Sequence, residues 1–308
     1  MAVQTPRVTI GLPVYNGERY VAQAIDSLLR QTYDDFELVI SDNASDDGTE
    51  AICRSYAAQD SRIRYVRWEK NHGAAWNHNQ VFRLARGEYF KWAADDDIHA
   101  PAFLEKCVDA LDEFPDVAWC HCRSTHVGPS GSPLPIRAMH PVSYTLPAAG
   151  ERSGPTRESH DASRRFKAVL LSSSCLDIYG LFRRETVAQT MLTLPYYGSE
   201  KVLLGEIALR GRYYEVPQIL FFLRVHDEAS GSLVRAIDQA RFENPDASRF
   251  AACIRLQLLR GHIRAVLRAP IGLRQRVRCG LAIVAYLLQY RKWRSVLLRS
   301  LSGRGAGL

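Results

Sequence analysis

The chain has 308 residues, 46% of them hydrophobic, and a net charge of +7, so it can bury a large core in one or two domains. Its seven scattered cysteines argue against a disulfide or zinc framework and favour a reducing, cytoplasmic compartment. We find no signal peptide, and the most apolar late run, residues 280–290, is shorter than the roughly 20 residues of a membrane span. We therefore expect a globular protein that is soluble or bound peripherally.

Charge is distributed unevenly along the chain. Residues 233–308 hold 15 Arg and Lys against 3 Asp and Glu, so the first 232 residues carry a net charge of −5. A basic region of this kind could contact anionic lipid, nucleic acid or an acidic partner.

The first half of the chain alternates short apolar strands with helical patterns. Strands are expected at 8–12, 36–40, 63–66 and 88–92, and helices at 21–29, from 48, at 74–85 and at 103–111. This alternation predicts an α/β fold with a mostly parallel, doubly wound sheet and flanking helices. No GxGxxG or GxxxxGKS loop occurs, so a nicotinamide dinucleotide fold or a P-loop kinase is unsupported.

The second half is less regular. Residues 127–163 are rich in Pro, Gly, Ser, Arg and His, which predicts a long loop or insertion. Further strands are expected at 117–122, 178–182, 213–216 and 219–225. Alternation in the first of these predicts that Cys120, His121 and Cys122 pack in the core rather than bind a metal. Apolar residues at helical spacing after residue 254, interspersed with arginines, predict a basic helical extension.

Three polar clusters follow the predicted strands, at 13–17, 42–46 and 95–97. In parallel sheets, ligands bind beyond the carboxyl ends of the strands, so these clusters are expected to share one crevice. The three consecutive carboxylates of the last cluster repel one another unless a cation lies between them. Oxygen ligands suit Mg²⁺ or Mn²⁺, so the sequence indicates a divalent metal site, whereas the alternative is a solvated loop that caps the next helix.

Seven segments of the chain carry a family likeness, namely LPVYNGERYV at 12–21, LLRQTYDDFELVISDNASDDGT at 28–49, NHGAAWNHN at 71–79, ARGEYFKWAADDDIHAP at 85–101, IYGLFRRE at 178–185, GSEKVLLGEIALRGR at 198–212 and FFLRVHDEAS at 221–230. In these segments the chain resembles the family 2 inverting glycosyltransferases of GT-A fold. The resemblance implies a GT-A domain at 1–232, with a nucleotide-sugar half at 1–125 and an acceptor half at 126–232 that includes the insertion. Residues 233–308 then form a basic helical extension.

The resemblance also implies site residues. Contacts to the donor nucleotide are expected from Pro13, Val14, Tyr15, Asn16, Glu18, Asp42, His78, Asp95 and Asp96, and metal contacts from Asp97, Asp95 and His226. Within this set, Asp42 would receive the base and Asp97 would be the direct metal ligand. The chain departs from the family where Ala94 replaces the first acid of a D-x-D-D motif, and where His78 stands in place of a frequent Arg.

Glu200 matches the position of the family's catalytic base. A sugar hydroxyl is a poor nucleophile until a base removes its proton, and a carboxylate can do so. Glu206 on the same predicted helix is the rival candidate, and its six-residue offset turns it away from Glu200.

The resemblance therefore predicts a metal-dependent inverting transferase. Its expected partners are a UDP-, GDP- or dTDP-linked sugar and a hydroxyl acceptor of cell-envelope polysaccharide or glycoconjugate biosynthesis. Peripheral membrane contact through the basic extension is also expected, and no nucleic acid. Two alternatives remain. One is a sugar-phosphate nucleotidylyltransferase, although a glycine-rich basic loop after the first strand is missing. The other is a non-catalytic nucleotide- or carbohydrate-binding module.

Overall fold

The computed structural model describes residues 5–134, 157–172, 175–229, 233, 235–247 and 254–288. Eight strands form one sheet in the order β3-β2-β1-β4-β7-β6-β8-β5. The strands are β1 (Val8–Val14), β2 (Phe36–Asp42), β3 (Ile63–Arg67), β4 (Tyr89–Trp92), β5 (Ile98–His99), β6 (Val117–Val127), β7 (Leu181–Arg183) and β8 (Arg212–Arg224).

Helices flank this sheet and continue beyond it. They are α1 (Val21–Leu29), α2 (Thr49–Gln59), α3 (Ala74–Leu84), α4 (Phe103–Glu113), α5 (Ala162–Leu171), α6 (Arg184–Ala188), α7 (Glu200–Ala208), α8 (Ala236–Glu243), α9 (Ile254–Arg268) and α10 (Leu273–Leu287). A short 3₁₀ helix covers Leu176–Tyr179.

The sheet is mixed, and its two halves differ. β1 pairs in parallel with β2 and β4, and β2 with β3, which confirms the doubly wound arrangement expected for the first half. β7 runs antiparallel to both β4 and β6, and β5 antiparallel to β8, while β6 and β8 are parallel. Six strands therefore share one direction, and their carboxyl ends lie at the same edge.

Two strand predictions in the second half were wrong in detail. The apolar run at 178–182 divides into the end of the 3₁₀ helix and the short strand β7. Gly180 lies between them, where a Cβ would be 2.4 Å from the carbonyl oxygen of Cys120. The two strands predicted at 213–225 are the single strand β8, which continues through Pro217. A register shift against β6 between Cys122 and Arg123 accompanies this proline, which cannot donate a ladder hydrogen bond.

The basic extension packs on the sheet domain. Ala265, Val266 and Ala269 of α9 and its following turn share a buried apolar cluster with Phe166 of α5 and Val202 of α7. α10 adds residues from its own inner face to the same cluster, namely Cys279, Ala282, Ile283 and Tyr286. None of the helices in the described ranges combines the length and hydropathy that crossing a bilayer requires.

The Cys120–Cys122 segment lies in β6 and is buried, as the alternation predicted. Cys120, His121 and Cys122 are each exposed by 2% or less. Within the described part of the chain, no group of three His, Cys, Asp or Glu side chains could hold a metal ion. Core packing therefore accounts for this segment.

Candidate functional site

The loops that follow β1 and β2 are joined by reciprocal hydrogen bonds. The side-chain oxygen of Asn16 accepts from the backbone N–H of Asp46 at 3.0 Å, and Glu18 Oε2 accepts from the backbone N–H of Gly48 at 2.7 Å. The backbone N–H of Glu18 in turn donates to Asp47 Oδ2 at 3.0 Å. The side chains of Asn16 and Glu18, which were expected at the donor nucleotide, thus hold one wall of the crevice in shape.

Asp42 ends β2 inside this wall. Its Oδ1 accepts from the backbone N–H of Ser45 at 2.8 Å, and its Oδ2 accepts from the Tyr65 hydroxyl at 2.6 Å. The Nε atom of Arg67 lies 3.7 Å from the same Oδ2. Burial, followed by the bond to Asp42, raises the pKa of Tyr65, so its hydroxyl remains a donor. The carboxylate is fully buried and is thereby fixed in position at the edge of the sheet.

The remaining residues of the predicted nucleotide wall differ in exposure. Pro13 and Val14 are buried within β1, whereas Tyr15, the next residue, is 45% exposed. A large aromatic ring that stays exposed beside a crevice offers a face on which a planar base can stack. Tyr15 is therefore the member of this group that can present its ring to a ligand.

Asp95 is the first carboxylate after β4, and it packs against the loop after β1. A Cβ on Gly17 would lie 2.4 Å from Asp95 Oδ2, so a larger residue there would displace the Asp95 side chain. Burial, and next the charge of Asp96, raise the pKa of Asp95 to about 8. The crowding expected from three adjacent carboxylates is therefore present.

Asp96 faces His226, which follows β8. The His226 Nε2 lies 2.9 Å from Asp96 Oδ2, and the Asp96 side chain is 23% exposed. The imidazole also packs on the ring of Tyr20, with the ring centroids 4.7 Å apart, while its buried Nδ1 has no hydrogen-bond partner. Asp96 and His226 thus bring a partly exposed carboxylate together with an imidazole that is 6% exposed, in the loops that follow β4 and β8.

Asp97 points into the protein instead. It is 1% exposed, and its Oδ1 accepts from the backbone N–H of Arg224 at 2.9 Å, while its buried Oδ2 has no hydrogen-bond partner among the described residues. Burial raises the pKa of Asp97, and the nearby buried Lys91 opposes that rise. Burial also lowers the pKa of Lys91 to about 7. This placement favours Asp96 over Asp97 as the carboxylate that can reach a ligand in the crevice.

Asp96 and His226 fit a divalent cation by the chemistry of their donor atoms. Carboxylate oxygen and imidazole nitrogen are both common ligands of divalent ions, and Mg²⁺ or Mn²⁺ usually completes its coordination with substrate phosphates and water. The described residues offer no third His, Cys, Asp or Glu in the same group. A cation held here would therefore depend on oxygen ligands from a bound substrate.

Glu200 begins α7 and is half-buried, and burial raises its pKa. Its rival, Glu206, lies one and a half turns later on the same helix. Glu206 is fully buried, and its Oε2 accepts from the backbone N–H of Met191 at 2.8 Å. The two acids thus have different environments, and of the pair Glu200 is the one with access to solvent.

His78 is the second position at which the chain departs from the family. Its Nδ1 contacts the carbonyl oxygen of Ala74, one turn earlier in α3, at 3.0 Å. Burial lowers its pKa, so the ring is neutral at physiological pH. A neutral imidazole that is already bonded to its own helix gives a phosphate much less attraction than an arginine would.

Glu243 of α8 lies near Glu200, and the sequence did not reveal it. Its carboxylate accepts from the backbone N–H of Ala75 in the first turn of α3, a helix whose own N-cap residue, Gly73, provides no side-chain cap. The backbone of Glu243 also lies against the start of α3, since a Cβ placed on Gly73 would be 2.3 Å from the carbonyl oxygen of Glu243. The basic extension therefore supplies the N-terminal cap of a helix that borders the crevice.

Arg224 is the second residue that sequence reasoning missed. Its Nε donates to the backbone oxygen of Asp96 at 2.7 Å, and its guanidinium lies over the ring of Tyr20, 4.6 Å from the centroid. Together with the Asp97 contact, these bonds tie the acidic turn to β8. The one available signal was its position two residues before His226, which alternation in a strand places on the same side.

We expect the substitution Glu243→Gln to change how stability depends on pH. Burial, and next the charge of Glu200, raise the pKa of Glu243 from 4.5 to about 8. The folded state therefore holds this proton more tightly than the unfolded state, so the stabilisation is complete below pH 4.5 and is lost as pH rises through about 8. Across this window the melting temperature of the wild type should fall several degrees more than that of Glu243→Gln, which keeps an acceptor for Ala75.

Thermal melts of both proteins at several pH values provide the check. Glu228→Gln is the matched control, because the Glu228 side chain is 70% exposed and its substitution should leave the pH dependence unchanged. Wild-type and Glu243→Gln melting temperatures that stay parallel throughout would contradict the account.

The crevice, with its polar loops at the carboxyl ends of parallel strands, has the layout of a nucleotide-binding α/β domain. The sequence profile of glycosyl transferase family 2 matches residues 9–173, and the chain belongs to that family. An uncharacterised glycosyltransferase of Rickettsia typhi is 37% identical over 109 residues, which are 35% of this chain and 33% of that protein. The putative glycosyltransferase EpsE of Bacillus subtilis is 38% identical over 109 residues, 35% of this chain and 39% of that protein. The match thus spans little more than a third of these relatives.

Solved structures share the GT-A fold. TarS (residues 1–349) of S. aureus in complex with UDP-GlcNAc has a TM-score of 0.62 at 16% identity, and the match covers 91% of this chain and 71% of that chain. The mannosyltransferase PcManGT of Pyrobaculum calidifontis, in complex with GDP-Man and Mn²⁺, has a TM-score of 0.56 at 17% identity. The match covers 98% of this chain and 89% of that chain. At these identities the likeness establishes the fold.

Proposed function

We propose that this chain transfers a sugar, with inversion, from a nucleoside-diphosphate sugar to a hydroxyl acceptor, with the help of a divalent metal. The observation that carries the proposal is the partly exposed Asp96 beside His226, at the end of the strand next to β1 and within a family 2 domain. The two structural neighbours support it, because one is in complex with UDP-GlcNAc and the other with GDP-Man and Mn²⁺.

The donor base is proposed to bind at the end of β2. The fixed carboxylate of Asp42 would accept a hydrogen bond from a ring N–H, and the exposed ring of Tyr15 would stack on the base. Asn16 and Glu18 would contribute indirectly, through their bonds to the loop after β2. The donor would be linked to UDP, GDP or dTDP.

Asp96 and His226 are proposed to hold Mg²⁺ or Mn²⁺, with the backbone of Asp96 fixed by Arg224. Once bound, the metal would supply positive charge that neutralises the departing diphosphate. Asp95, which is packed on Gly17, would border the donor on the same side. For Asp97, which the resemblance implies as the direct ligand, we propose a positioning role instead, since its Oδ1 accepts from the backbone N–H of Arg224.

Glu200 is proposed as the general base. The acceptor oxygen would form a bond to the anomeric carbon as the bond from that carbon to the diphosphate oxygen breaks, and the hydroxyl proton would pass to the Glu200 carboxylate. Attack from the face opposite the leaving group inverts the anomeric carbon. Burial raises the pKa of Glu200, which makes it a stronger base than an exposed glutamate.

The identity of the sugar is tested by incubating the protein with Mn²⁺ and a panel of UDP-, GDP- and dTDP-sugars, and measuring release of the nucleoside diphosphate. We expect one nucleotide class to be turned over faster than the others. The acceptor is proposed to be a hydroxyl of a cell-envelope glycan or glycoconjugate. Absence of turnover with every donor, alongside normal nucleotide binding, would favour the non-catalytic binding module.

We expect Asp42→Asn to weaken nucleoside-diphosphate binding by about 10-fold or more, the effect of losing a hydrogen bond to a charged group. Asn has nearly the same size and keeps an acceptor for the Ser45 N–H, so the fold should survive. Isothermal calorimetry measures the affinity. Tyr65→Phe is the control, because it removes one hydrogen bond to the Asp42 carboxylate but keeps the carboxylate itself. It should weaken nucleoside-diphosphate binding far less than Asp42→Asn does. Equal affinity of Asp42→Asn and wild type would remove Asp42 from the base site.

A further inference from the structure

Both α9 and α10 expose a series of apolar side chains, which together are called the apolar stripe. On α10 the exposed residues Leu273, Val277, Leu281, Val284 and Leu288 follow at intervals of three and four, which places them on one side of the helix. Leu273 is 76% exposed and Leu281 is 65% exposed. On α9, Ile263 and Leu267 are exposed and lie four residues apart, on one side of that helix.

This stripe is distinct from the face that joins the helices to the rest of the protein. The inner faces are already used, because Ala265 and Val266 of α9 and Ala282 and Ile283 of α10 are buried against α5 and α7. The exposed leucines therefore point away from the sheet domain. Most soluble proteins do not expose large apolar side chains in such a series, and a contiguous patch of this kind usually marks an interaction surface.

The charged side chains of the same segment are all positive. Residues 254–288 contain seven arginines and no Asp, Glu or Lys. Four of these arginines are exposed and form no ion pair with any described residue, namely Arg260, Arg264, Arg268 and Arg274. On a helical projection Arg274 lies about 60° from the centre of the α10 residues, while on α9 Arg260 lies about 40°, Arg264 about 80° and Arg268 about 120° from the midpoint of Ile263 and Leu267.

We propose that the α9–α10 pair binds the surface of an anionic lipid bilayer, with its apolar stripe in the interface and its arginines among the headgroups. This arrangement satisfies both features of the surface, since apolar burial and attraction to anionic lipid act together in interfacial helices. A second copy of this chain is a poorer occupant, because two identical surfaces that each carry unpaired exposed arginines, such as Arg260 and Arg274, and no acidic residue of the same segment repel each other. The proposal is independent of the proposed reaction.

The test is co-sedimentation of the full chain with vesicles. Phosphatidylcholine vesicles are compared with vesicles that also contain phosphatidylglycerol, each at low and high ionic strength. We expect binding to the anionic vesicles at low salt, with loss at high salt because screening weakens the arginine contribution. Equal binding to neutral vesicles, or no binding to either, would overturn the proposal.

Two sets of variants separate the apolar and the charged contributions. Leu281→Glu should weaken binding by at least about 10-fold, since a fully buried leucine contributes about 1.5–3 kcal/mol. Arg260→Gln combined with Arg274→Gln should weaken it by about 30-fold, since each arginine at an anionic surface contributes about 1 kcal/mol. All these positions are exposed, so the variants should melt at the wild-type temperature.

Matched controls lie on the sheet domain. Ile219→Glu introduces the same charge at an apolar residue that is 45% exposed, and Arg30→Gln removes a charge from a side chain that is 65% exposed. Both should bind vesicles as the wild type does. If the controls and the stripe variants lose binding equally, the contact is not specific to this face. A doubled mass in sedimentation equilibrium that Leu281→Glu abolishes would assign the stripe to a second copy instead.

Discussion

Glu200→Gln is expected to lower turnover by about 10²-fold or more, the usual cost of losing a general base. The amide is nearly isosteric with the carboxylate but cannot accept the proton of the acceptor hydroxyl at neutral pH. Donor binding should be unchanged, because the proposed role of Glu200 concerns the acceptor. Steady-state release of nucleoside diphosphate from the preferred donor, together with calorimetry, separates the two effects.

Glu206→Gln is the internal comparison for this prediction. The Oε2 of Glu206 accepts from the backbone N–H of Met191, so its substitution should affect stability more than turnover. An inactive Glu206→Gln enzyme that folds normally, alongside an active Glu200→Gln enzyme, would show that the roles are reversed.

Asp96→Asn is expected to abolish almost all metal-dependent activity, whereas Asp97→Asn should retain a large part of it. The Asp96 carboxylate lies in the crevice beside His226, and its loss would leave diphosphate charge uncompensated. Asn at position 97 has nearly the same size and keeps an oxygen for the Arg224 N–H, while the other carboxylate oxygen of Asp97 has no hydrogen-bond partner to lose.

The comparison is made by titrating Mn²⁺ into each variant and measuring nucleoside-diphosphate affinity. Wild type and Asp97→Asn should show metal-stimulated binding, and Asp96→Asn should show little. If Asp97→Asn alone loses the metal response, Asp97 is the ligand, as the resemblance first suggested. Full stimulation in both variants would place the metal elsewhere.

Much of the first half of the fold was predictable, because its strands are short, apolar and separated by helices with clear periodicity. Buried parallel strands such as β1 and β2 read as continuous apolar runs, and their ends are marked by polar residues. The second half was harder to predict. β7 has only three residues and follows a 3₁₀ helix, so no period was long enough to identify it.

The site was predictable at the level of its loops but not of its individual contacts. Adjacent residues such as Asp96 and Asp97 are chemically identical in the sequence, and only the bond from Arg224 to Asp97 distinguishes the buried acid from the exposed one. Glu243 could not be placed either, because it reaches the crevice through packing of α8 on α3, far away in the sequence. Long-range packing leaves no local pattern to detect.

The basic extension was also predictable in part. Its helical periodicity and charge were evident from the sequence, and in the structure one face of it packs on α5 and α7. The sequence could not show which apolar residues remain exposed, because both faces of α10 carry aliphatic side chains. The buried Ile283 and the exposed Val284 are neighbours with similar hydrophobicity.

Calorimetric titration of the full chain with UDP, GDP and dTDP, in the presence and absence of Mn²⁺, is the most direct measurement of whether this crevice is a metal-assisted nucleotide-sugar site. We expect one of the three to bind, more tightly with Mn²⁺ than without, and Asp42→Asn and Asp96→Asn each to weaken that binding. Failure of all three nucleotides to bind a folded protein, or binding that neither substitution affects, would contradict the account.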